Sequence, residues 1–281
     1  MIYSVSNIAW LPIEREKSYS ILKNNNLSDI EIAPGLLFHS SIDPYNPTEI
    51  EIKSVLTELK QYELSIISMQ SLLYNISDAF LFGNKFEQKT FKNSIRNAIV
   101  LASKLNIPNL VFGSPKNRII PKGMKYFDAL DLAQDTFFNL GKLAYENGTC
   151  IAIEPNPKLY GTNFINSYKE AVSFVRSINS PGISTVLDLG AILINKEHEQ
   201  HNYHTNLRES IKILSHVHVS EPNLEPAPKN VQNFELTLSI LKKMKYSKGI
   251  SIEMKRIEDS QNNLKKCVEE MMRIVNKTNG K

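Results

Sequence analysis

Short apolar runs recur along this chain, each followed by a longer stretch with helical spacing. The runs cover residues 3–5, 29–33, 64–69, 109–112, 149–153, 184–187, 214–219 and 249–252. They are largely apolar rather than strictly alternating, as strands covered on both faces of a parallel sheet are. Between them, residues 48–62 set Ile50, Ile52, Val55, Leu56 and Leu59 against charged neighbours, and residues 88–104 carry an Ile95, Ala98, Ile99, Ala102 stripe. Residues 128–147, 167–178 and 264–275 show the same helical period. Strands alternating with helices at intervals of roughly 30 to 40 residues indicate βαβ units. Their right-handed crossovers leave a closed barrel or an open doubly wound sheet. Eight runs favour the barrel, and no glycine fingerprint follows the first run to suggest a dinucleotide fold. The pattern therefore predicts an α/β chain, a (β/α)8 TIM barrel, as one domain over residues 1–281.

Composition narrows the classes of function. The formal charge of +4 is modest for 281 residues and does not make the dense basic surface of a dedicated nucleic-acid binder. The longest apolar stretch, residues 98–112, is broken by Ser103, Lys104, Asn106 and Pro108, so no membrane span is expected. The amino terminus lacks a basic region before an apolar core, and Glu14 and Glu16 interrupt it early. Cys150 and Cys267 are too few for a disulfide framework and are not spaced as a zinc clip. The expected setting is a reducing cytoplasm.

In such a barrel the chemistry gathers at the carboxyl ends of the strands. The last four runs end at or near residues able to hold a metal: Glu154, Asp188, His218 and Glu253. Taken singly, an acid after a strand is more often a helix cap, and a histidine in a strand is more often a satisfied polar group. Their coincidence on four consecutive strands makes them candidate ligands. Carboxylates that close would repel one another without a divalent cation. An oxygen-rich set with one imidazole suits manganese best, and magnesium, cobalt, iron or zinc in its place, rather than a structural zinc. His216 lies on the same face of its strand as His218, only deeper.

The blocks SVSNIAW, DIEIAPG, VFGSPKNR, IEPNP, LDLGA, HVHVSEP and SIEMK, in that order, resemble the xylose-isomerase-like barrel superfamily of sugar isomerases and epimerases. The resemblance implies one divalent ion held by Glu154, Asp188, His218 and Glu253, with Glu154 and Glu253 also the acid/base pair. The implied reaction moves a proton beside the carbonyl of a small sugar or sugar phosphate through an enediolate. The sequence departs from the pattern at Ala191, where many relatives carry a histidine, and at Gln70, where metal-rich relatives often do.

Further candidates for substrate contact are Gln70, Lys116, Arg118, Asn156, Tyr160, Glu221 and Trp10. Lys116 and Arg118 together would hold a phosphate or carboxylate. Asn156 also fits a turn between two prolines, and Trp10 also fits a cap on the barrel. The runner-up activity is a dehydratase of a keto-polyol or keto acid, which shares the metal and the proton abstraction. A sugar-binding barrel without turnover, and an endonuclease of the apurinic type needing extra histidines, come behind it. His198, His201 and His204 fall instead in a charged segment expected to be solvated. The partners expected are a small sugar-like substrate and, as barrels of this group often pair, a second copy of the chain.

Overall fold

A computed structural model describes residues 1–278 and residue 280. Eight strands close into a parallel barrel in the order of the chain. They are β1 (Ile2–Ser6), β2 (Asp29–Ile32), β3 (Ser65–Met69), β4 (Asn109–Phe112), β5 (Cys150–Ile153), β6 (Ile183–Asp188), β7 (Leu214–Ser220) and β8 (Gly249–Glu253). Every predicted run contains or overlaps its strand. Asp188 and Glu253 are themselves the last residues of β6 and β8.

The helices are α1 (Arg15–Asn24), α2 (Pro34–Leu37), α3 (Glu49–Gln61), α4 (Lys85–Leu105), α5 (Tyr126–Glu146), α6 (Tyr168–Ile178), α7 (Leu189–Ile194), α8 (Tyr203–Ser210), α9 (Val231–Lys243) and α10 (Ser260–Thr278). Local chemistry sets where they start. Thr48 and Asn84 each accept from the backbone three residues on, and Glu51 and Glu87 reach back to the Thr48 and Asn84 N–H. The Ile95, Ala98, Ile99, Ala102 stripe is fully buried, as expected. On α3 the buried stripe is narrower than expected: Ile52, Val55 and Leu59 pack inward, whereas Ile50 stands 82% exposed.

The chain divides into two compact units. The first, residues 1–67, 188–212 and 216–281, holds β1, β2, β8 and most of β7. Here β1 pairs with β2 and β8, and β7 pairs with β8 so that His218 meets Ser251 and Ser220 meets Glu253. Glu14 ties the start of this unit to its end, accepting from Arg256 at 3.1 Å and from Ser260 at 2.8 Å.

The second unit, residues 68–187 and 213–215, holds β4, β5 and nearly all of β6. Its packing runs through edge-on and tilted aromatic pairs linking Phe91, Phe112, Phe137, Phe174, Phe164 and Phe82. Val111, Ala152 and Val186 form a buried apolar cluster on its three neighbouring strands.

Candidate metal centre

Three of the four candidate ligands are brought together inside the first unit. His218 is fully buried on β7, with its Nδ1 3.2 Å from Glu253 Oε2 and 3.7 Å from Asp188 Oδ2. The β7–β8 register causes this approach, since it sets Glu253 level with Ser220, two residues beyond His218 on the same face.

Asp188 is held from two sides. It caps α7 by accepting from the Ala191 N–H, and its Oδ2 accepts from Ser220 Oγ at 2.8 Å. Ser220 Oγ in turn accepts from the Gly190 N–H at 2.9 Å. A Cβ on Gly190 would stand 3.0 Å from the Glu221 backbone and the Ser220 hydroxyl, so the closeness of α7 to the end of β7 depends on that glycine. Ala191 thus contributes its backbone where a histidine side chain was the point of comparison.

The other nitrogen of His218 faces away from these acids. His218 Nε2 lies 3.1 Å from Oε2 of Glu31, and His216 Nε2 lies 3.1 Å from the same oxygen. His216 Nε2 is also 2.9 Å from Ser251 Oγ, which is 2.6 Å from Ser4 Oγ. Gly249 leaves the space that His216 fills, because a Cβ there would come within 2.6 Å of its ring. Glu31 is 0% exposed. Burial would raise its carboxyl, but the two imidazoles His218 and His216 outweigh that and hold it well below the ordinary carboxylate range. Sequence reasoning missed Glu31. The available signal was a carboxylate between Ile30 and Ile32 in a strand otherwise apolar.

Glu154 is positioned within the second unit. It follows β5, one residue past the pairing of Ile153 with Thr185. Its Oε2 lies 3.4 Å from Asn156 Nδ2, and its carbonyl accepts from Arg118 Nη2 at 2.8 Å. Gly113 makes room for the carboxylate: a Cβ there would sit 2.3 Å from Glu154 Oε2.

The remaining candidates divide. Arg118 is fully buried beneath the Phe112 ring, whereas Lys116 is exposed. The short turn Pro115–Arg118 thus turns one side chain of the expected cation pair inward and leaves the other in solvent. Burial lowers the Arg118 guanidinium to about 10, against the pull of Glu154 and Glu170, so it stays charged near neutral pH. Glu221 spends Oε1 on the Lys229 and Asn230 N–H groups at 2.6 and 2.7 Å, clasping the loop after β7. Trp10 is 3% exposed and packs edge-on against Tyr19. Gln70 is buried just beyond β3, with Ser71 Oγ 3.3 Å from its Oε1. Tyr160 ends a short turn over Lys158–Tyr160.

A family model described as a xylose isomerase-like TIM barrel matches residues 24–275. The chain belongs to that family. No curated protein matches this xylose isomerase-like barrel by sequence. Solved structures do match it by fold. D-psicose 3-epimerase from Clostridium cellulolyticum H10, solved with D-tagatose, is 15% identical with a TM-score of 0.76 over 99% of this chain and 98% of that one. The 3-keto-D-glucoside 4-epimerase of E. coli is 15% identical, with a TM-score of 0.74 over 97% and 99%. An AP endonuclease of family 2 from Brucella melitensis is 16% identical, with a TM-score of 0.71 over 94% and 97%. At these identities the likeness is one of fold.

The donor chemistry of the xylose isomerase-like barrel fits a hard or borderline divalent cation. Asp188 and Glu253 converge on one imidazole nitrogen whose partner nitrogen is already engaged. That is an oxygen-rich set with a single nitrogen. Among the described residues no helix is long and apolar enough to cross a membrane.

Proposed function

We propose that this chain is a divalent-metal-dependent epimerase or isomerase of a small sugar or sugar phosphate. The observation that carries the reading is the presentation of His218 Nδ1 between Asp188 and Glu253 at the strand ends, with Nε2 turned to Glu31. Glu154 is the fourth ligand in this proposal, supported by its place at the same end of β5 and by the match of its block to the family pattern. Manganese is the favoured ion. Two of the structural neighbours are sugar epimerases, which supports this class.

In this reading Glu154 and Glu253 are the acid/base pair. One carboxylate takes the proton from the carbon beside the substrate carbonyl, and the other gives a proton back to the opposite face. A bound cation supplies Lewis acidity at the substrate oxygens, where negative charge develops. Asn156 Nδ2 restrains the Glu154 carboxylate, Gly113 leaves it room, and Ser220 holds Asp188 in place. Gln70, Asn156 and Arg118 stay candidates for the substrate side, with Arg118 acting through the Glu154 carbonyl that it grips.

The test is incubation of metal-loaded protein with ketoses and their phosphates in D2O. Deuterium entering the carbon beside the carbonyl, with a new epimer or isomer, is expected. Loss of water from the substrate would move the assignment to a dehydratase, and binding without exchange would make this a sugar-binding barrel. Cleavage of abasic DNA with no sugar exchange would overturn the proposal.

A further inference from the structure

A carboxylate fully enclosed in a barrel wall is expensive, and hydrophobic packing alone gives no reason for Glu31. Its neighbours Ile30 and Ile32 are fully buried as well, so an aliphatic side chain at residue 31 would suit the strand. Three other strands accommodate this acid and its partners. β7 supplies both imidazoles, while β1 and β8 supply the small residues Ser4, Gly249 and Ser251 around His216.

The arrangement has a consequence for the protons of His218. A neutral imidazole carries its proton on one nitrogen and a lone pair on the other. A carboxylate only accepts, so at 3.1 Å Glu31 holds the proton on Nε2. In the neutral ring that a cation requires, the lone pair then belongs to Nδ1, the nitrogen that faces Asp188 and Glu253. Without Glu31, those two acids would draw the proton to Nδ1, and a protonated Nδ1 cannot bind a metal ion. His216 approaches the same Glu31 oxygen at 3.1 Å from the other side, which keeps the carboxylate from turning away.

We propose that Glu31 is a positioning residue, fixing His218 as the Nε2–H tautomer and aiming Nδ1 at the cation, with His216 as the second donor that locks Glu31 in place. Glu31 thereby sets metal affinity from β2 without touching the metal. This inference rests on the metal reading of Asp188, His218 and Glu253.

The experiment compares wild type with Glu31→Gln, which keeps a neutral acceptor, and Glu31→Met, which keeps only bulk. Two quantities are read: the proton-bearing nitrogen of His218, by long-range 1H–15N NMR, and Mn2+ and Mg2+ affinity, by calorimetry. In wild type Nε2 should carry a proton with and without Mg2+, and Nδ1 should carry none once Mg2+ is bound. Glu31→Met should move the Nε2 proton to Nδ1 in the metal-free protein and weaken metal binding about 10- to 100-fold, as loss of an outer carboxylate does elsewhere. Glu31→Gln should fall between the two in affinity, with a melting temperature near wild type.

An unmoved His218 proton in folded Glu31→Met, with affinity equal to wild type, would overturn the proposal. If Glu31→Met does not fold, wild-type affinity in Glu31→Gln overturns it instead. A second equivalent of metal lost from both variants, with the first unaffected, would make Glu31 and His216 ligands themselves and would also overturn it. If wild-type protein binds no metal, the proposed function fails, and the metal-free NMR comparison still decides what Glu31 does.

Discussion

Glu154 and Glu253 carry the proton chemistry in the proposed reading, and replacing each with its amide removes the charge while keeping the shape. Glu253→Gln should stay folded, weaken metal binding only in part, and abolish deuterium exchange into substrate; substantial residual exchange would remove Glu253 from the acid/base role. Gly113→Ala tests the seat of Glu154, since the new Cβ would fall 2.3 Å from its Oε2 and the carboxylate must shift. A displacement on the order of 1 Å can cost about 100-fold in turnover. The expected outcome is that loss in kcat with the melting temperature little changed, checked by steady-state kinetics beside calorimetry. The candidate ligands were legible because their residue types are informative at strand ends. Glu31 was not, since its meaning lies in two imidazoles that the chain places 185 and 187 residues further on. The inward turn of Arg118 was hidden for the converse reason: charge is visible in a sequence, and the direction in which a short turn points it is not.

At the scale of elements, Asp188 has two roles that substitution can separate. It caps α7 through the Ala191 N–H, and it faces His218 Nδ1. Asparagine caps a helix as well as aspartate, whereas alanine forfeits about 1 kcal/mol, worth about 2 °C in a chain of this size. Metal-free Asp188→Asn should therefore melt above Asp188→Ala by roughly that margin, with both losing the cation. Equal melting points would show that the cap contributes nothing. A second element-scale device is Glu14, which joins the turn before α1 to Arg256, in the loop after β8, and to Ser260 at the start of α10. The Arg256 guanidinium holds its carboxyl down to about 2, from an ordinary 4.5. A depressed carboxyl stabilises above its unfolded value and loses that contribution as the pH falls through the folded one. The difference in melting temperature between wild type and Glu14→Gln should then be constant above about pH 5.5 and shrink between 4.5 and 2. A difference unchanged down to pH 2.5 would show that the ion pair does not couple the two ends.

Strands were the most legible elements, because strands buried on both faces leave an unmistakable apolar run. Helix α1 was missed because its sequence, Arg15–Asn24, buries only Ser18, Tyr19 and Leu22. Helix α9 was hidden behind the prolines at 222, 226 and 228, which belong to the loop that Glu221 clasps before the helix begins. The charged histidine segment resolves into a turn at Glu197–Glu199 and the short helix α8, in keeping with its polar composition.

For the whole molecule, the order of the barrel follows the order of the chain, so eight correctly read runs were enough to state the topology. The family model spans residues 24–275, and the fold is shared with enzymes of differing named substrates. In the proposed reading, pocket shape, and with it the choice of sugar, is written in loop side chains whose directions no periodicity reveals. The claim on which everything else depends is that the acids around His218 Nδ1 hold a divalent ion. Elemental analysis of gently purified protein, with Asp188→Asn in parallel, tests it most directly. About one divalent ion per chain is expected in wild type, manganese foremost, and none in the variant. Metal-free wild-type protein that neither binds added Mn2+, Mg2+, Co2+ or Zn2+ nor gains thermal stability from them would contradict the account.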